Sequence, residues 1–507
     1  MDLKYISTRN KNVCVCSAQA IAQGISQEGG LFVPAYMPQI SLEEIEEMSH
    51  MNYRERACRV LGRFLTDFTA EELRQCVDDA YGEESDPNGK FGGGPAPLSK
   101  LCPDMYMMEL WHGPTCAFKD MALQLLPRLM TVAAGKVLDG QQIAILVATS
   151  GDTGKAALEG FKDVPGTKML VFYPQNGVSA MQKLQMATQE GDNLSVCAIE
   201  GNFDDAQTGV KKIFTNPEIR QKLAEHGIVF SSANSINWGR LVPQIVYYFS
   251  AYCDLLANEE IYLGEKVNVT VPTGNFGNIL AAYYAREMGL PLGKLICASN
   301  RNNVLTDFIQ TGSYDKNRPF YLTQSPSMDI LVSSNLERLL FALCHQDDRQ
   351  VSHLMRCLAE DGRYTIAVDM KTQLQQIFAA QWCDDQQTDQ EIQRMYREYS
   401  YLCDTHTAVA AYACRRYREE TGDMTKNIVV STASPYKFPG SVLSAVTGKS
   451  WEGETAEDAF AQAQQLSELT HTPQPQSLLE LRTKPVLHRT VCTKDTMEQE
   501  LLRALGL

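Results

Sequence analysis

Apolar positions along this chain fall into two rhythms. Short apolar or β-branched runs, the mark of strands buried on both faces, alternate with longer stretches that read as helix. Ile143-Ala-Ile-Leu-Val-Ala-Thr149, Lys168-Met-Leu-Val-Phe172, Lys266-Val-Asn-Val-Thr-Val271 and Lys426-Asn-Ile-Val-Val-Ser-Thr-Ala433 are the clearest strand runs. From about residue 98 to 450 the alternation predicts parallel sheets wrapped by helices, an α/β fold. The first 90 or so residues read mostly as helices. Ser41 is a good N-cap for the stretch up to Met48, and Thr69 with Glu72 forms a capping-box pattern. Asp86-Pro-Asn-Gly89 and Gly92-Gly-Gly-Pro-Ala-Pro97 punctuate a boundary, and Tyr173-Pro-Gln-Asn-Gly177 reads as a turn after a strand. Residues 330–420 are richer in helix and glutamine, as an insertion would be. After Trp451 the chain is acidic and amphipathic, and a terminal helix is expected over 495–505. The expected division is a helical N-terminal region (1–94), a core of two α/β subdomains (95–450) and a helical tail (451–507).

Chemistry enters where the rhythm changes. Lys119 follows Phe118 and opens Asp120-Met-Ala-Leu-Gln-Leu-Leu-Pro127, a run that otherwise reads as buried helix. Burial disfavours the ammonium and yields a nucleophilic amine, the condition for a Schiff-base lysine. The alternative is a lysine snorkelling at a helix start. Two of the strand runs lead through glycines into helices, at Ser150-Gly-Asp-Thr-Gly154 and at Pro272-Thr-Gly-Asn-Phe-Gly-Asn278. A helix N-terminus presents free N–H groups and the positive end of the dipole, so such a junction suits an anion. Neither matches the mononucleotide or dinucleotide loop patterns, and a ligand-free tight turn is the plain alternative for each. Ser431 and Thr432 close another strand run. They can cap the following turn or offer a hydroxyl to a ring nitrogen. A phosphorylated pyridine aldehyde needs an amine, an anion cradle and a ring-nitrogen partner, and the chain supplies them in that order.

The same segments resemble the threonine synthases, fold-type II enzymes dependent on pyridoxal 5′-phosphate (PLP). Trp111-His-Gly-Pro-Thr-Cys-Ala-Phe-Lys-Asp120 resembles that family's cofactor-lysine segment, Ala148-Thr-Ser-Gly-Asp-Thr-Gly154 its substrate loop, and 272–278 its cofactor-phosphate loop. Ser232-Ala-Asn-Ser-Ile-Asn-Trp-Gly-Arg240, Tyr5-Ile-Ser-Thr-Arg9 and Glu28-Gly-Gly-Leu-Phe-Val-Pro34 also fit. The resemblance implies that Lys119 carries PLP and later moves protons at Cα and Cβ of the substrate. It implies that Gly274, Asn275, Phe276 and Asn278 cradle the cofactor phosphate, chiefly through backbone N–H groups. Thr432 would meet the pyridine nitrogen, with Ser431 as the alternative. A hydroxyl there leaves the ring nitrogen largely unprotonated, so the protein's share is orientation and electrostatics. Ser150, Gly151, Asp152, Thr153 and Gly154 would line the substrate carboxylate and phosphate, with Asp152 turned away to brace the loop. Asn234, Ser235, Asn237 and Arg240 would be further substrate contacts, Arg240 as a bidentate grip. The implied reaction converts O-phospho-L-homoserine and water to L-threonine and phosphate, the last step of threonine biosynthesis, by γ-elimination and β-addition. A phospholyase or dehydratase yielding a 2-oxo acid would use the same parts, and a non-catalytic PLP or metabolite binder is the reading from another class. One position departs from the pattern: Ser434 stands where many relatives have histidine.

Composition narrows the partners. A net charge of −15 over 507 residues argues against a nucleic-acid surface. An acidic chain that binds a phosphorylated amino acid must gather cations at the site, and Arg240 and Lys183 are the candidates. The 15 cysteines have scattered spacings and read as free thiols of a reducing cytoplasm. Cys116 near Lys119 reads as packing, His112 as a hydrogen-bonded structural residue, and His406 as part of a capped helix start. No metal pattern, leader or apolar run long enough for a membrane span stands out. The expected protein is a cytoplasmic monomer.

Overall fold

Two sheets of mainly parallel strands organise the chain in the computed structural model, which describes every residue except 1, 84, 85, 87, 88, 176, 177, 202, 452 and 454. The boundary motif at 86–89 and the turn at 173–177 therefore lie partly outside the described residues. Across the six-stranded sheet run Phe378–Trp382, Leu292–Ser299, Val267–Pro272, Asn427–Ser431, Met105–Glu109 and Leu98–Cys102, and only the last pairing is antiparallel. Val267–Pro272, Asn427–Ser431 and Met105–Glu109 are buried at every residue. That is why they read as continuous apolar runs rather than alternating ones. The five-stranded sheet is wholly parallel, in the order Thr490–Thr493, Leu194–Glu200, Thr167–Pro174, Gln142–Ala148 and Ile228–Ser231.

The N-terminal helices form where their caps predict. Ser41 and Glu44 close a capping box on Leu42–Ser49, and Thr69 and Glu72 close one on Ala70–Tyr81. This region also holds a small antiparallel sheet, Asn10–Val15, Tyr5–Ser7 and Phe32–Pro34, which the helical reading missed. Two of its strands have three residues, too few for a period to show. The N-terminal region shares one core with the rest. Tyr5 and Phe64 pack on Trp238 at 5.2 and 5.5 Å between ring centroids, at the start of the almost wholly buried Trp238–Ala257 helix. Between 330 and 420 lie five helices and the edge strand Phe378–Trp382, on which the helices Val368–Ile377 and Thr405–Thr421 pack. The tail contributes the helices Ala456–Thr470 and Met497–Leu505 and also the strand Thr490–Thr493, which pairs with Leu194–Glu200. No helix among the described residues is long and apolar enough to cross a membrane.

Every candidate segment lies in a loop beyond the C-terminal end of a parallel strand. The substrate loop follows Gln142–Ala148, the 232–240 segment follows Ile228–Ser231, and 272–278 follows Val267–Pro272. Thr432 follows Asn427–Ser431, and the Lys119 segment follows Met105–Glu109. Carboxyl ends of strands are where open α/β sheets bind ligands.

Candidate active site

Lys119 stands at the N-terminus of the short helix Asp120–Leu123, 7% exposed. The run expected as one buried helix breaks at Gln124 and Leu125 before Leu126–Val137. The loop before Lys119 is pinned to the end of the Asn427–Ser431 strand: Phe118 N–H donates to the Thr432 carbonyl at 2.8 Å, and Ala117 bridges Ala433. Asp120 holds its other side, accepting from the Thr115 N–H and hydroxyl at 2.8 and 2.7 Å. Burial raises the Asp120 carboxyl to about 6 against those two bonds. Cys116, at φ +59°, is buried with its thiol beside the Ser477 hydroxyl and pushed up to about 11 by that burial, so it packs rather than reacts.

The Lys119 amine meets Asp152 Oδ2 and the Ser327 hydroxyl, each at 3.3 Å. Burial lowers its pKa; Asp152 opposes the shift, and Lys437 and Arg240 add to it. Asp152 therefore does not turn away from the site as expected. Its other oxygen takes Lys437 Nζ at 2.6 Å and Gln182 Nε2 at 2.9 Å. Burial alone would raise the Asp152 carboxyl, but Lys437 and then Lys119 outweigh it and hold the group below the ordinary carboxylate range. The electrostatic objection to an aspartate in an anion loop fails because the buried Lys437 pairs with it at 2.6 Å.

The rest of the substrate loop wraps the start of the Asp152–Phe161 helix. The Thr149 hydroxyl accepts from the N–H groups of Gly151 and Gly154 at 3.0 and 2.8 Å. Gly151 has φ +132°, and a methyl group there would meet the Gln182 amide at 2.5 Å, so only glycine fits. The Thr153 hydroxyl accepts from Arg240 Nη2 at 3.3 Å. Arg240 is 6% exposed, and its Nη1 donates to the Ala233 carbonyl. It has no carboxylate partner among the described residues, and burial lowers it to about 10. A buried guanidinium with no counter-ion is a site for an anion. Lys183, the other candidate cation, is exposed; it borders a hollow of about 440 Å³ with His488 and Arg489 that contains none of the residues above.

The 272–278 loop forms an anion cradle. Phe276 caps the Gly277–Glu287 helix at φ +61°, a left-handed conformation that costs a non-glycine residue and aims the first turn's N–H groups outward. A methyl on Gly274 would lie 2.5 Å from the Ser327 carbonyl oxygen, so this loop and the loop touching Lys119 are in contact. The Asn275 carbonyl is tied by the Asn335 N–H and side chain at 3.2 and 3.1 Å. Asn278 accepts from the Tyr247 and Tyr248 hydroxyls at 2.5 and 2.6 Å, which leaves its buried Nδ2 donor without a partner. At the strand end, the Ser431 hydroxyl is engaged by Trp111 Nε1 at 3.0 Å, Thr407 at 3.1 Å and Tyr401 at 3.4 Å. The Thr432 hydroxyl has no partner among the described residues. An amine, an orphaned donor beside a helix N-terminus and a free hydroxyl fit a phosphorylated pyridine aldehyde.

Of the second-tier residues, Asn234 keeps a buried Oδ1 without a partner, and Ser235 lies against Gly277. Asn237 is spent elsewhere: its Oδ1 caps the Trp238–Ala257 helix through the Gly239 N–H, and its Nδ2 donates to Ile21 and Ser232 carbonyls. That removes it from the free substrate contacts. His112 bonds Glu109 at 2.7 Å, as a structural histidine does. His406 sits in the helix start capped by Asp404, gives Nδ1 to Asp404 at 2.7 Å and accepts the Ser327 N–H at Nε2. Ser434 caps the turn Pro435–Lys437 by accepting the Tyr436 N–H. Sequence reading missed Lys437 and Ser327. Lys437 had a signal, a lone lysine between Tyr436 and Phe438 in an apolar stretch; Ser327 had none.

Known proteins resemble this chain along most of its length. Residues 4–81 match the model of the threonine synthase N terminus, 91–433 that of pyridoxal-phosphate dependent enzymes, and 407–488 that of the threonine synthase C-terminal region. The chain is 39% identical over 490 residues to human threonine synthase-like 1, covering 94% of this chain and 64% of that protein. It thus spans under two thirds of the length of these curated relatives. Threonine synthase of Pseudomonas aeruginosa is 38% identical over 448 residues, 88% of this chain and 91% of that one. The crystal structure of PLP-bound threonine synthase from Brucella melitensis superposes with a TM-score of 0.85 at 34% identity, covering 99% of both chains. With these matches running along nearly its whole length, the chain belongs to the threonine synthase family of PLP-dependent enzymes.

Proposed function

We propose that this protein is a threonine synthase, converting O-phospho-L-homoserine and water to L-threonine and phosphate. The observation that carries the reading is the pairing of the buried Lys119 amine with the buried, counter-ion-free Arg240 on either side of one substrate loop. Lys119 would hold the PLP aldehyde carbon, with Gly274, Asn275, Phe276 and Asn278 around its phosphate and the Thr432 hydroxyl at its ring nitrogen. Bound there, PLP supplies an electrophilic carbon for the substrate amine and a ring that accepts electron density from the amino-acid carbons.

The chain's own groups do the rest. Arg240 and the Asp152 and Thr153 N–H groups at the helix start bind the substrate's anionic ends, with Ser150, Thr153 and the Asn234 and Ser235 side chains as neighbours. Lys119, released as a free amine, takes the proton from Cα and serves Cβ from the same position, within reach of both. Phosphate then leaves from Cγ toward Arg240 with one proton, and Cγ gains a proton to become the methyl group. Water adds its hydroxyl at Cβ as Cα is reprotonated, which places the two protons taken from Cα and Cβ and the one from water. The Ser327 hydroxyl, 3.3 Å from the amine, holds Lys119 in line. The protein acts as a cytoplasmic monomer on this reading.

The test is purified protein with O-phospho-L-homoserine, measuring phosphate and the carbon product together. Equal amounts of phosphate and L-threonine are expected. Phosphate with 2-oxobutyrate and ammonia would make the protein a phospholyase on the same scaffold. Lys119→Ala is expected to abolish both turnover and the borohydride-sensitive yellow colour.

A further inference from the structure

We infer that Lys437 is a positioning residue for this reaction: through the carboxylate it shares with Lys119, it keeps the Lys119 amine uncharged and aimed into the site. The inference rests on the role proposed for Lys119 above. Lys437 lies in the turn Pro435–Lys437 with no exposed surface. Its Nζ is 2.6 Å from Asp152 Oδ1 and donates to the Thr115 carbonyl at 3.1 Å. Lys119 approaches the other oxygen of the same carboxylate at 3.3 Å. One negative charge thus faces two amines, all three buried.

A single carboxylate cannot neutralise two ammoniums out of water, and a buried charge without a counter-ion sheds its proton instead. Geometry decides which lysine does so. Lys437 has the shorter ion pair and a backbone carbonyl, two acceptors that suit an ammonium. Lys119 has the longer contact and a Ser327 hydroxyl, which can donate to an amine lone pair as well as accept. The other charged groups around Lys119 leave this balance in place. Arg240, on the Trp238–Ala257 helix, adds a further cation. Asp120 is turned to Thr115, and His406 touches the site through the Ser327 N–H. The same Lys437 clamps the loop before Lys119, because the carbonyl it holds belongs to Thr115, whose N–H and hydroxyl are bound by Asp120. Lys437 is therefore the standing cation, and Lys119 the neutral base.

The test is the visible absorption of the substrate-free holoprotein titrated with pH, whose midpoint reports the proton on the nitrogen that Lys119 would contribute to its bond with PLP, a readout independent of turnover. Lys437→Met is expected to raise the midpoint by about one pH unit or more, since it removes a cation and returns all of Asp152 to Lys119. Lys437→Arg keeps the charge and is expected to restore the midpoint, which a purely structural role would not require. Should Lys437→Met not fold, Lys437→Gln replaces it, reaching the same oxygens without charge. An unmoved midpoint in the neutral variant, or an equal rise in Lys437→Arg, overturns the inference. Turnover is scored separately in the parent protein. A moved midpoint without threonine formation would sink the proposed function and leave the inference standing; threonine formation with an unmoved midpoint would do the reverse.

Discussion

Two neighbouring hydroxyls, Ser431 and Thr432, show how contacts rather than residue type assign a role. Ser431 accepts from Trp111 and Tyr401 and meets the Thr407 hydroxyl, whereas Thr432 is buried with its hydroxyl free. Ser431→Ala is expected to cost about 1–3 kcal/mol of stability by orphaning buried donors. Thr432→Ala is expected to leave stability nearly unchanged while altering the cofactor's absorption; unfolding curves and spectra separate the two. Asp120 makes a pH prediction. Its folded-state pKa of about 6 lies above the ordinary value of 3.8, so the folded chain binds that proton more tightly than the unfolded one. Its contribution is favourable at low pH and fades as pH rises from about 4 through 6. Unfolding measured across that window should show the wild-type stability falling with pH relative to Asp120→Asn, whatever the variant's offset.

At the scale of elements, the site depends on two helices meeting closely. Gly160, in the Asp152–Phe161 helix, sits against the carbonyl of Leu123 at the end of the Lys119 helix, and a methyl group there would overlap that oxygen. Gly160→Ala must push the substrate loop away from Lys119. We expect about 1–3 kcal/mol of destabilisation together with weaker PLP retention, read by thermal unfolding and by the fraction of cofactor lost on dialysis. An unchanged holoprotein would mean that the two helices slide without cost. These elements were legible as helices and strands because each has a period or a cap. Their close approach was legible only as a glycine in a helix, a signal with many other causes.

For the whole molecule, the terminal strand and helix complete a sheet that otherwise ends at Leu194–Glu200. Thr490–Thr493 pairs along that edge, and Met497, Leu501 and Leu505 bury beside Val210, Ile213 and Phe172. Removing 489–507 should uncover a strand edge and an apolar face, lowering the unfolding temperature and promoting aggregation at unchanged ionic strength. Light scattering and thermal unfolding of the shortened chain would check this. The tail's strand escaped the sequence reading because four residues, only Cys492 of them buried, are too few to show a period, and only the waiting edge makes them a strand. The sequence by itself determined the parallel-sheet core, the helix caps, and the lysine and glycine-rich loops at the strand ends, because each is a local pattern of neighbouring residues. The tertiary structure alone decided that Asp152 faces two lysines, that Asn237 is spent on a cap, that Thr432 rather than Ser431 is free, and that Lys437 and Ser327 join the site. Those outcomes depend on groups tens to hundreds of residues apart being buried together, where a missing or surplus partner changes both charge and role.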